Sequence, residues 1–80
     1  MDVQSIVAAQ AAELSHLTAT QIGLDHSLLW DLRIDEDDFS YVFVPALEKE
    51  LGIKTSPTDW AGIRTVRDVV EMLLKKVARA

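Results

Sequence analysis

Eighty residues suffice for one small domain but leave little room for an enclosed active site, because a chain of this length buries only about 60% of its unfolded surface. Apolar residues make up 49% and charged residues 26%, too hydrophobic for a disordered chain, and the absence of cysteine excludes disulfides and thiolate metal sites. Thirteen acids against eight bases give a net charge of −5, which repels phosphate backbones, so a basic protein surface is the expected partner and nucleic acid is not.

The N-terminus lacks the basic stretch and apolar run of a secretory signal, and no apolar run is long enough to span a bilayer, so the expected location is the cytoplasm. Asp2 is placed to cap a first helix running to about Ser15. Its stripe of Val3, Ile6, Val7, Gln10, Ala11 and Leu14 keeps amphipathic spacing. From Leu17 to Ile34 the periodicity is lost, Gly23 interrupts, and scattered apolar residues predict a long loop pinned to the core. Within it, Trp30, like Trp60 further on, is expected to be a core or half-buried anchor.

An acidic run, Asp35-Glu36-Asp37-Asp38, opens the next segment. Behind it, Phe39, Val42, Phe43, Ala46, Leu47 and Glu50 follow helical spacing, and Gly52 suits a left-handed C-terminal cap, so a second helix is expected from about Asp38 to Leu51. Pro45 removes a helical hydrogen bond and clashes with the preceding turn, which predicts a kink there or irregular helix before it. The rival reading, a strand over residues 39–44, has nothing else in the chain to pair with. Ser56-Pro57-Thr58-Asp59 opens a third helix that Gly62 keeps very short. Thr65 then caps a last helix with the stripe Val66, Val69, Val70, Leu73, Leu74 and Val77, and with Lys75, Lys76 and Arg79 at its negative end.

Charge is concentrated by region: residues 31–38 hold five acids, Asp31, Asp35, Glu36, Asp37 and Asp38, against Arg33 alone. Capping favours one or two acids at a helix start, by about 0.3 to 1 kcal/mol each. Five within eight residues repel one another, which points to a docking role. The spacing lacks the glycine and distant glutamate of a calcium loop, and His16 and His26 have no companion ligands, so no metal is expected. No nucleophile, base or phosphate-loop pattern is present either, and no enzyme is expected.

The order of elements resembles that of acyl carrier proteins. The segment Asp25-His26-Ser27-Leu28-Leu29-Trp30-Asp31-Leu32-Arg33-Ile34-Asp35 is similar to the carrier loop that ends in the Asp-Ser-Leu attachment motif. Ala46-Leu47-Glu48-Lys49-Glu50-Leu51-Gly52-Ile53 is similar to the end of the carriers' second helix, and Ile63-Arg64-Thr65-Val66-Arg67-Asp68-Val69-Val70 to the entry of their last; together the likeness covers roughly residues 22–77. It implies an all-α, four-helix bundle with a long first loop and a very short third helix, one domain over residues 1–80, and a monomer.

Carriers bear 4′-phosphopantetheine on the serine of that motif. Aligned from the loop, Asp35 matches the motif's aspartate and Glu36 takes the serine's place; aligned back from Ala46-Leu47, the place falls on Asp37. Both are acids and lack the hydroxyl to be loaded, so no cofactor is expected at the usual position. Ser40 lies about a turn further on and is the alternative attachment residue, giving a working carrier with 4′-phosphopantetheine; as an ordinary residue it faces solvent or bonds to the backbone. Ser27 matches a loop serine that caps a turn. The resemblance further implies that Asp31, Asp35, Glu36, Asp37 and Asp38 dock on basic surfaces of biosynthetic or carrier-modifying enzymes, and that a cleft of the kind many carriers open between the second and last helices would be lined by Phe43, Leu47, Val70 and Leu74, residues that are ordinary core where no arm is carried. A plain interaction adaptor sharing the four-helix layout is the remaining alternative.

Overall fold

The computed structural model describes residues 2–79; Met1, Ala80 and the side chain of Arg79 lie outside the described residues. Helix α1 spans Val3–Leu14. Its N-terminus is held by Asp2, whose carboxylate accepts the Ser5 N–H at 3.4 Å and the Ser5 hydroxyl at 2.6 Å. Those two bonds also hold the Asp2 carboxyl below its ordinary pKa.

The second helix is built from three consecutive pieces: α2 (Glu36–Asp38), a π-helical piece (Phe39–Phe43) and α3 (Val44–Leu51). It starts two residues before Asp38 because Asp35, rather than a later acid, caps it. The irregular stretch expected before Pro45 is the π piece, in which the Val44 N–H reaches back five residues to the Phe39 carbonyl. Pro45 accounts for it, since it has no N–H and its ring crowds the carbonyl four residues back, so the wider turn relieves the clash. The rival strand over residues 39–44 is therefore helix. Gly52, with φ of 66°, ends α3 in the left-handed conformation.

Helix α4 (Pro57–Trp60) is a single turn, capped where Asp59 accepts the Ser56 N–H at 2.8 Å. Helix α5 (Val66–Arg79) is capped reciprocally: Asp68 accepts from the Arg64 and Thr65 amides, and the Asp68 N–H donates to the Thr65 hydroxyl. Asp59 is joined to Lys76 of α5 at 2.9 Å, a contact that ties the short helix to the last one. The fold is all-α, with four helical rods and no strand among the described residues.

Helix α1 packs against both α3 and α5. The core between them takes Val7 and Ala11 from α1, Phe43 and Leu47 from the second helix, and Val66, Val69 and Leu73 from α5. Residues 15–35 close the open side. Their Leu28, Leu32 and Ile34 are buried, and their backbone is stitched to the entry of α5 by the bonds Leu28 N–H to Arg64 O, Val66 N–H to His26 O and Arg67 N–H to Leu24 O. An exposed ion pair, Arg67 with Asp25 at 3.1 Å, crosses the same seam.

Candidate functional site

The acidic run sits where the loop turns into the second helix. Asp35 is the N-cap, and its side chain accepts the Asp38 N–H at 2.7 Å. Asp31 is also engaged locally, accepting the Ser27 N–H at 2.7 Å, while the Ser27 hydroxyl accepts the Trp30 N–H at 3.1 Å, so Ser27 is a turn cap. Asp38 is half-buried, whereas Glu36 and Asp37 are exposed. The ion pairs among the described residues are Arg67 with Asp25 and Lys76 with Asp59, so none of the five acids is paired with a cation among those residues. Like charges without an ion-pair partner among the described residues form an open anionic surface.

Beside this surface lies an open hollow of about 670 Å³ between the loop and the start of the second helix. Leu29, Trp30, Ile34, Phe39 and Ile63 line it, and Asp35, Glu36 and Arg64 rim it. Trp30 is 79% exposed and Leu29 59%, which corrects the expectation that Trp30 is a core or half-buried anchor. The local turn explains it. Asp31 and Leu32 both donate to the Ser27 carbonyl, so the chain winds as a helical turn in which Leu28 and Leu32, four apart, face inward and Leu29 and Trp30 face out. That four-residue spacing was the signal available in the sequence. Trp60, by contrast, is half-buried: it meets Phe39 edge-on at 5.3 Å between ring centroids and donates its indole N–H to Thr55 at 2.7 Å.

Ser40 is exposed and belongs to a different hollow, of about 450 Å³, shared with Val44, Glu48, Ser56 and Trp60. The Phe39 ring stands between it and the acid-rimmed hollow, contributing to both. Of the residues between the second and last helices, Phe43, Leu47 and Val70 are packed core, as in the ordinary-core reading, and Leu74 is 51% exposed. Glu48 is a positioning residue that periodicity did not single out. Its carboxylate accepts both the N–H and the hydroxyl of Thr55 at 2.7 Å, and through Thr55 it fixes Trp60.

Chemically the surface offers carboxylates, one rim guanidinium and apolar side chains. Among the described residues no group of three or more His, Cys, Asp or Glu side chains is arranged to hold a metal ion, and no helix is long and apolar enough to cross a membrane. No protein-family model matches the chain, and no curated protein matches it.

Proposed function

We propose that the chain is a non-catalytic, acyl carrier protein-like module that docks through its acidic face on basic enzyme surfaces and carries no phosphopantetheine at the usual position. The observation that carries this reading is the state of Glu36 and Asp37, exposed at the head of the second helix and unpaired with any cation among the described residues. Neither has a hydroxyl to load. The four-rod layout, the loop packed into the bundle and the one-turn α4 support the carrier likeness. Its partners are biosynthetic or carrier-modifying enzymes of the cytoplasm, and the module acts on them as a monomer.

A second reading has one observation in its favour: Ser40 is exposed and opens on a hollow, as an attachment serine of a working carrier would. Its distance in sequence from the capping aspartate, and the Phe39 ring between it and the acidic rim, favour the first. A plain adaptor is the reading left if neither carrier property is found.

Docking is tested by capturing partners on the immobilised protein and on the double variant Glu36→Lys, Asp37→Lys, with circular dichroism to verify the fold. Capture of an enzyme with a basic surface falls at least about tenfold in the variant, and wild-type capture weakens as salt rises. Glu50→Lys, on an exposed acid of α3, leaves it unchanged. Equal capture by wild type and the double variant would overturn the docking face.

A further inference from the structure

We infer that the hollow beside Leu29 and Trp30 is a docking groove for a basic amphipathic helix of a partner protein, which inserts apolar side chains over Trp30 while its arginines or lysines meet Asp35 and Glu36. The inference rests on the docking part of the proposed function and is independent of whether the chain carries an arm.

Exposing a tryptophan and a leucine side by side is unfavourable for a chain this small, whose stability depends on the apolar surface it can bury. Here the two side chains are 79% and 59% exposed and border a hollow floored by Ile34, Phe39 and Ile63. Tryptophans at the centre of interfaces are the residues whose truncation costs most binding energy. The rim decides the occupant's charge. Asp35 and Glu36 flank the hollow, Asp31 and Asp37 adjoin them in sequence, and two cations oppose these four acids, Arg64 on the rim and Arg33 in the adjoining hollow beside Trp30. A fatty-acid carboxylate, a phosphate or an anionic membrane meets repulsion there, and a cationic partner meets attraction. The occupant's backbone follows from the fold: with no strand edge among the described residues, main-chain pairing is not offered, and an amphipathic helix presents apolar and basic groups together.

The test uses the full chain and a fluorescein-labelled synthetic helix with leucines on one face and arginines on the other. Fluorescence anisotropy is expected to report saturable binding that Trp30→Ala and Leu29→Ala each weaken at least about tenfold. Tyr41→Ala, which removes an aromatic just as exposed but outside this hollow, leaves binding within about twofold. A control helix with alanines in place of leucines binds more weakly, and one with glutamates in place of arginines does not bind. The inference is overturned if the leucine–arginine helix fails to bind, if the alanine helix binds equally well, or if Trp30→Ala binds as wild type. It is also overturned if Trp30 is instead shielded by phosphatidylcholine–phosphatidylglycerol vesicles or by self-association in sedimentation. Wild-type peptide affinity in Trp30→Ala, alongside lost enzyme capture in Glu36→Lys, Asp37→Lys, would remove the groove and leave the acidic docking face standing.

Discussion

Phe43 is fully enclosed, in the segment that packs on α1 and beside the rings of Phe39 and Trp60, at 5.7 and 6.4 Å between centroids. Removing it leaves a cavity that rigid neighbouring helices fill only in part, so Phe43→Ala is expected to cost about 3 to 5 kcal/mol in urea unfolding. Arg33 presents the opposite situation, an exposed side chain on a constrained backbone. Its φ of 57° is left-handed, the turn that brings Ile34 back into the core. A β-branched residue there is expected to lose about 1 to 2 kcal/mol, so Arg33→Val lowers the urea midpoint while Arg33→Gly does not. At this scale the sequence was partly legible. The stripes of Val3, Val7 and Ala11 and of Val66, Val69, Val70 and Leu73 are the buried faces, because helical spacing alone decides them. Leu74 lies at the edge of its stripe and is half outside, and Trp30 faces outward against the expectation from its size, because side-chain size says nothing about which way a loop turn winds.

At the level of elements, the second helix shows a local conflict resolved locally. Pro45 predicts irregularity and the π piece lies directly before it, whereas the cap is Asp35, a choice among four adjacent acids that propensity does not make. The loop's attachment was harder to read. Its partners, Arg64 to Arg67, are some forty residues away in sequence, as the Arg67–Asp25 bond at a separation of 42 illustrates, and periodicity carries no information at that range. The relay from Glu48 through Thr55 to Trp60 is short in sequence but crosses the turn from α3 into α4, where helical periodicity does not run, and it holds the wall of the Ser40 hollow. Glu48→Ala leaves the half-buried Thr55 amide and hydroxyl without their acceptor and is expected to cost about 1 to 3 kcal/mol. The unfolding midpoint and a red shift of Trp60 emission in a Trp30→Phe background measure it.

For the whole molecule, the acids divide into those that hold the fold and those that face outward. Asp2, bonded by Ser5, Asp59, bonded by Lys76 and the Ser56 amide, and Asp68, bonded by the Arg64 and Thr65 amides, are all held below the ordinary carboxylate pKa. A carboxyl whose folded value is depressed contributes stability that is present above its unfolded value and lost as pH falls through the folded one. Unfolding midpoints should therefore hold at neutral pH and fall below about pH 4, and Asp68→Asn should flatten that acid limb. Glu36 and Asp37 do no comparable structural work, so their charge is available to a partner. The composition already implied an anionic binding surface; that the acids border an apolar hollow required the fold.

The proposal that the chain carries no phosphopantetheine is tested most directly by intact mass. The protein is incubated with coenzyme A and a broad-specificity phosphopantetheinyl transferase, beside a conventional carrier as positive control. An unchanged mass is expected while the control gains its phosphopantetheine. A gain in the wild type that disappears in Ser40→Ala would contradict this and make the chain a working carrier loaded on Ser40.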